Sequence, residues 1–237
     1  MSDELNIFPD AEQLATAVSA ALVTRISELQ AESDHRVVQL CLTGGTIATK
    51  IHRKLASDLG SGPVDPGRIE LWWGDERFVA TDSPDRNAEP TIELLAVDGL
   101  APERIHPMPS AAGLTLAEAA EAYAAELGEV TFDICMLGLG PDGHIASLFP
   151  DHPSLEPTSA TVIPVTDSPK PPPERISLTL PVINSSAEVW FLVSGEEKAA
   201  AAAKAYRRSE RIPGGRAHGT VETIFWLDEE AAGEISD

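Results

Sequence analysis

Four short apolar runs constrain this chain more than any other feature: residues 37–42, 69–73, 132–137 and 189–193. Each has the length of a buried strand, and each is followed within two residues by a glycine: Gly44, Gly74, Gly138 and Gly195. Helical stripes fall between them. Leu14, Val18, Leu22 and Ile26 recur every fourth residue behind a candidate cap at Asp10, and Ile47, Ile51, Leu55 and Leu59 repeat the pattern. The Ala- and Glu-rich stretch 114–127 and residues 196–208 read as further helices, 92–97 as a short one and 229 onward as a frayed terminal one. Residues 162–165, 176–180 and 221–227 read as additional strands. Strands alternating with helices predict a parallel or mostly parallel sheet covered on both faces.

The 237 residues can bury a substantial core, and with neither an internal repeat nor a Gly/Ser linker, residues 1–237 are expected to form a single domain. A formal net charge of −21 repels polyanions, so neither nucleic acid nor an anionic membrane surface is an expected partner. A small anion needs local cations. Lys198, Lys204, Arg207, Arg208, Arg211 and Arg216 cluster against the single acid Glu210, and this island is expected to supply them. Cys41 and Cys135 lie in apolar runs and give no disulfide framework, which fits a reducing compartment. The first residues lack the basic start and apolar stretch of a secretory signal, and no run reaches membrane-spanning length, so a cytoplasmic protein is expected. The sequence does not fix an oligomeric state, and a monomer is compatible with it.

Candidate chemistry gathers at the ends of the apolar runs. The turn Thr43-Gly44-Gly45-Thr46 precedes a helix, where glycines let backbone N–H groups approach a phosphate and the helix dipole favours an anion. Gly74-Asp75-Glu76-Arg77 places two acids and an arginine just past another run, and a guanidinium binds oxyanions bidentately. The densest segment runs from Leu137 to Pro150. Its Gly138-x-Gly140-x-x-Gly143 literally matches a dinucleotide fingerprint, but Pro150 and Pro153 interrupt the helix that must follow. Asp142 and His144 suggest another use, with a near-neutral imidazole taking a proton from water and a carboxylate orienting it. Ser147 lacks a nucleophile-elbow pattern and the six histidines show no metal-ligand spacing, so metal-free water activation is the reading.

Several blocks together resemble the 6-phosphogluconolactonase family. They are Leu42-Thr43-Gly44-Gly45-Thr46, Trp73-Gly74-Asp75-Glu76-Arg77-Phe78-Val79, the Asp142-Gly143-His144-x-Ala146-Ser147-Leu148-Phe149-Pro150 loop, Pro171-Pro172-Pro173-Glu174-Arg175-Ile176-Ser177-Leu178-Thr179 and Ser194-Gly195-x-x-Lys198. They run in order over nearly the whole chain, and the Asp-Gly-His block is the most specific of them. One departure is Ile47-Ala48-Thr49, where the family commonly has a proline or another small turn residue after Thr46. The resemblance implies a Rossmann-like three-layer α/β/α sandwich and hydrolysis of 6-phosphoglucono-1,5-lactone to 6-phosphogluconate in the oxidative pentose phosphate pathway, without cofactor or metal. It also implies roles: His144 as the base that activates water, Asp142 as its supporting acid and Asp75 near the sugar. Gly44, Gly45, Thr46, Arg77, Arg175 and Lys198 would bind phosphate or lactone oxygens.

Two other readings have discriminating features. Glucosamine-6-phosphate deaminases share the fold and a similar block, but theirs typically continues into Phe-Asn-Glu-Pro, whose glutamate moves protons; here that position is Phe149. A non-catalytic phosphosugar sensor would often carry an appended DNA-binding domain, and no basic helix-turn-helix candidate is visible.

Overall fold

The computed structural model describes residues 2–60 and 62–235. Their strands are β1 (Ser2–Phe8), β2 (Val38–Leu42), β3 (Ile69–Trp73), β4 (Asp75–Arg77), β5 (Ile105–His106), β6 (Ile134–Gly138), β7 (Val162–Val165), β8 (Arg175–Leu178), β9 (Glu188–Val193) and β10 (Glu222–Asp228). The helices are α1 (Ala11–Ala31), α2 (Thr46–Leu59), α3 (Ala88–Leu94), α4 (Leu116–Leu127), α5 (Leu180–Ser185), α6 (Ala199–Tyr206) and α7 (Pro213–Arg216).

The central sheet has the order β1-β10-β9-β6-β2-β3-β5, and its pairings are all parallel. β9 is buried along its whole length, which requires cover on both faces and gives the Rossmann-like α/β/α arrangement. Antiparallel pairing is confined to a small second sheet, β4-β8-β7. From β2 the chain moves outward to β3 and β5, then returns to lay β6, β9 and β10 on the other side. The reversal therefore falls between β2 and β6. The loops leaving these two strands diverge and open a crevice at their carboxyl ends. Thr43 ties the floor of that crevice together, its Oγ1 accepting from the Gly138 N–H at 3.2 Å.

The helical stripes bury as their spacing predicts, except at Ile47. Asp10 caps α1 by accepting from the backbone N–H groups of Glu12 at 2.9 Å and Gln13 at 2.8 Å. Leu14, Val18, Leu22 and Ile26 are then wholly buried, each contributing roughly 1.5–3 kcal/mol of hydrophobic stabilisation. In α2 the buried face is Ala48, Ile51, Leu55 and Leu59, whereas Ile47 turns toward the crevice. α4 carries a full capping box, with Thr115 and Glu118 each bonding the other's backbone N–H. Among the described residues no helix is long and apolar enough to cross a membrane.

Three expectations need correction. Residues 75–77, expected only as charges just past the run 69–73, form a strand of their own, β4, paired antiparallel with β8. The terminal helix expected from residue 229 is a set of turns over the described residues, although the Asp228 carboxylate accepts from the Ala231 N–H at 2.9 Å as a helix cap would. That carboxylate also accepts from the Gly195 N–H at 3.1 Å and from the Ser194 hydroxyl, so it fixes the turn that leads to Lys198. Residues 196–208 begin as a 3₁₀ turn and are α-helical only from Ala199 to Tyr206.

Candidate active site

The crevice is a cleft of about 470 Å³ at the carboxyl ends of β2, β6 and β9. His144 lies on its wall at the end of a turn closed by two backbone bonds, Gly143 N–H to Gly140 O and Gly140 N–H to His144 O, both 2.9 Å. That turn folds the imidazole back over Gly140. A Cβ at position 140 would stand 1.9 Å from His144 Nδ1 and 2.5 Å from Asp142 Oδ1, so only glycine fits beneath the pair. The backbone turn thus brings the imidazole onto one acid, His144 Nδ1 lying 2.5 Å from Asp142 Oδ1, and the Phe149 ring tilts against the imidazole at 4.9 Å.

A carboxylate only accepts, so the proton of neutral His144 sits on Nδ1 and leaves Nε2 with a free lone pair. Burial pushes the imidazole below its ordinary pKa; the Asp142 hydrogen bond and charge pull it back up, and Lys170 pushes it down. Asp142 is raised by partial burial, yet the bond and charge of His144 together with Lys170 bring its carboxyl below the usual range. Asp142 does not line the cleft itself. It stands behind His144, against its Nδ1.

The Asp75-Glu76-Arg77 strand divides its labour. Asp75 faces the cleft, and its Oδ2 accepts from the Ser147 hydroxyl at 2.6 Å and lies 3.9 Å from Arg175 Nη1. Ser147, which belongs to the same loop as His144, thereby ties that loop to β4. Glu76 points the other way and is wholly buried. Its carboxylate accepts from the backbone N–H groups of Asn87 and Ala88, capping α3, and from that of Arg77 at 2.8 Å, while burial pushes its pKa up. Arg77 reaches the cleft, where Nη1 donates to Asn87 Oδ1 and to the Asp85 carbonyl at 3.1 Å. Its Nε has no hydrogen-bond partner. The Asn87 side chain runs across Gly44, where a Cβ would come within 2.1 Å of Asn87 Oδ1. Gly45, at φ 104°, then turns the chain so that Thr46 starts α2 and the first N–H groups of that helix open toward the cleft.

The basic island does not act as one. Of its cations Lys198 lines the cleft, its pKa lowered by burial and by Lys170. Arg208 instead pairs with Asp3 and donates to the Ala217 carbonyl on the far side of the sheet, and Arg207 donates to the Glu234 carbonyl at 3.0 Å. The remaining positive charge of the cleft comes from Lys50, Lys170 and Arg175, beside Arg77. Arg175 is buried and largely occupied: Nη2 donates to the carbonyls of Lys170 at 3.1 Å and Pro171 at 3.2 Å, and Nε to that of Pro172 at 3.3 Å. It holds a proline-rich strap against the cleft.

Sequence reasoning thus missed Lys50, Asn87, Ser147 and Lys170. Ser147 had a usable signal, being inside the His144 block; Lys170 immediately precedes the Pro171–Pro173 run, but nothing local shows that this strap folds over His144. Among the described residues no group of His, Cys, Asp and Glu is arranged to hold a metal ion.

A family model described as glucosamine-6-phosphate isomerases/6-phosphogluconolactonase matches residues 9–226. The chain belongs to this family. A 6-phosphogluconolactonase of Streptomyces coelicolor is 41% identical, with 99% of this chain and 96% of the relative covered. One of Homo sapiens is 34% identical over 98% of this chain and 93% of its own. A crystal structure of 6-phosphogluconolactonase from Thermotoga maritima superposes with a TM-score of 0.85 at 26% identity, covering 96% of this chain and 100% of that one. A monomeric glucosamine-6-phosphate deaminase superposes nearly as well, with a TM-score of 0.80 at 20% identity over 98% of this chain and 99% of that one. Both branches of the family therefore share this backbone, and the fold alone does not choose between them.

Proposed function

We propose that the chain hydrolyses 6-phospho-D-glucono-1,5-lactone to 6-phospho-D-gluconate, the second step of the oxidative pentose phosphate pathway, in the cytoplasm, and that residues 1–237 serve this as one domain. The observation that carries the reading is the His144–Asp142 pair, held at 2.5 Å over Gly140, with His144 on the wall of a cleft whose five cations, Lys50, Arg77, Lys170, Arg175 and Lys198, outnumber its two acids, Asp75 and Glu197. Such a pair takes a proton from water; the cations suit a phosphorylated substrate. The relatives at 34–41% identity are lactonases, and Phe149 stands where a deaminase needs an ionisable group.

In this reading water at His144 Nε2 attacks the lactone carbonyl carbon and gives its proton to Nε2. The carbonyl electron pair moves onto oxygen, and the tetrahedral oxyanion is stabilised by nearby cations and backbone N–H groups. When the ring C–O bond breaks, the ring oxygen takes the proton back from Nε2 and leaves as the sugar hydroxyl. Asp142 steadies the transient imidazolium. General-base help of this kind is worth about 10²- to 10⁴-fold, and the steps balance without metal or cofactor. Gly44, Gly45 and Thr46 at the start of α2 hold the phosphate together with Arg77 and Lys198. Asp75 accepts from a sugar hydroxyl, and Arg175 acts mainly by shaping the strap.

The test is the loss of freshly generated lactone above its spontaneous hydrolysis. The native chain should accelerate it, and His144→Ala should lose at least about a hundredfold in rate. Native activity in that variant removes His144 as the base. An inactive native chain that still binds the phosphosugar points to a sensor.

A further inference from the structure

Lys170 differs from the other cations of the cleft in standing against the His144–Asp142 pair. It rides on a strap whose backbone is fixed from several sides. Besides the three carbonyls held by Arg175, Ser168 N–H donates to the Pro173 carbonyl at 3.0 Å and Ser168 Oγ donates to the Lys170 carbonyl at 2.9 Å. Phe149 then registers strap and loop against each other, with the Arg175 guanidinium 5.9 Å from its ring centroid and the His144 ring at 4.9 Å. The result places Lys170 Nζ 3.4 Å from His144 Nδ1 and 4.0 Å from Asp142 Oδ1.

The Nδ1 hydrogen is already given to Asp142, so the ammonium has no lone pair on that nitrogen to bond. What it supplies is charge. The charged groups that act on His144 are Asp142 from its own loop, Asp75 from β4 and Lys170 from the strap; Arg175 lies on the other side of Phe149, and Lys198 with Glu197, from the turn before α6, line the same cleft. Two carboxylates beside an imidazole favour the imidazolium, which has no lone pair left to accept from water. The contact that orients the base therefore also favours its protonation, against burial, which is the larger influence here and favours the neutral ring.

We propose that Lys170 is a positioning residue for the proton acceptor: its ammonium shares the Asp142 carboxylate with His144 and keeps the imidazole uncharged while Asp142 still holds the ring in place. The inference rests on His144 being the base. It predicts a base that works to lower pH than an Asp–His pair alone, and it explains why the strap is anchored by a buried arginine.

The experiment follows the His144 Cε1–H resonance by NMR titration of the unliganded protein, assigned by its loss in His144→Gln. Lys170 is substantially exposed, so Lys170→Met should fold, which a thermal melt checks. In Lys170→Met the His144 midpoint should rise by about one pH unit, a tenfold change in its protonation equilibrium, and Lys170→Arg should bring it back toward native. The acid limb of kcat/KM should move by the same amount. An unmoved midpoint in Lys170→Met, with or without a raised KM, overturns the proposal and leaves Lys170 a substrate ligand at most. A midpoint that shifts while the acid limb stays in place upholds the Lys170 coupling and overturns His144 as the base.

Discussion

Gly140→Ala tests the idea that backbone geometry, not side-chain packing, holds the acid–base pair. The added Cβ would lie 1.9 Å from His144 Nδ1 and 2.0 Å from Cε1, against the roughly 3.5 Å of an ordinary carbon contact. The imidazole must move by about 1.5 Å or swing off its rotamer, and Asp142 Oδ1, at 2.5 Å from the same Cβ, must give way too. Gly140 is not among the residues at positive φ, so alanine meets no backbone penalty there. The damage is therefore confined to the pair. A displacement of about 1 Å in a reacting group costs on the order of a hundredfold, so kcat/KM should fall by at least about that much. His144 borders the open cleft, into which the displaced ring can swing, so the unfolding midpoint in urea should change little. Initial rates above spontaneous lactone hydrolysis, measured beside a urea titration, separate the two quantities. A Gly140→Ala protein with native kcat/KM would show that the pair is not needed in this geometry, and the mechanism proposed for it would fall.

Arg77→Ala should raise KM with a small change in kcat, because Arg77 is assigned to the phosphate and not to the reacting carbon; an unchanged KM removes it from the binding set. Glu76→Gln should destabilise the protein by about 3 kcal/mol in urea unfolding, since a single amide oxygen replaces a buried carboxylate that serves three backbone N–H groups and lies 3.9 Å from buried Arg86. A loss under about 1 kcal/mol would refute the capping role. His52 is wholly enclosed, and burial pushes it down to about 4. Between that value and the ordinary 6.5 the unfolded chain binds a proton that the folded chain refuses, so stability falls as pH drops through this window. His52→Leu should therefore shrink the stability lost between pH 7.5 and pH 5 by about 2 kcal/mol, and an unchanged difference would show that His52 does not titrate this way.

What could be read in the sequence follows from burial on both faces. β6 and β9 announce themselves as apolar runs because no side of them meets water, and the loops after them carry their chemistry within a few residues. β1 was invisible for the opposite reason: Ser-Asp-Glu-Leu-Asn-Ile-Phe is an edge strand, paired only with β10, and its polar residues carry no period that a single sequence reveals. β4 is three charged residues long, so nothing local distinguishes it from a turn; its pairing with β8, about a hundred residues on, makes it a strand. The basic island failed because closeness along a chain is not closeness in space. A helix followed by turns sends Lys198 to one end of the sheet and Arg208 to Asp3 at the other, some two hundred residues away in sequence. Lys170 shows the converse, joining a histidine 26 residues earlier through a strap whose course depends on Arg175.

The shared backbone of lactonase and deaminase places the burden of function on single positions, and Phe149 shows how one position acts. It is buried, it packs on the imidazole, and it supports the guanidinium that fixes the strap. A glutamate there would put a second carboxylate beside His144 and a new partner beside Arg175. The first change favours the imidazolium; the second competes with the strap carbonyls for the same N–H groups. Both oppose a neutral base under a fixed Lys170. If His144 is the base, the phenyl ring does more than remove a proton carrier that ring opening needs: it leaves an apolar contact on the imidazole and an unopposed guanidinium on the strap. Phe149→Glu should accordingly raise the His144 midpoint in the same NMR titration, opposite in sense to the effect of Lys170, and depress lactone hydrolysis near neutral pH. A midpoint that stays in place would show that the aromatic contact does not govern the charge of the base.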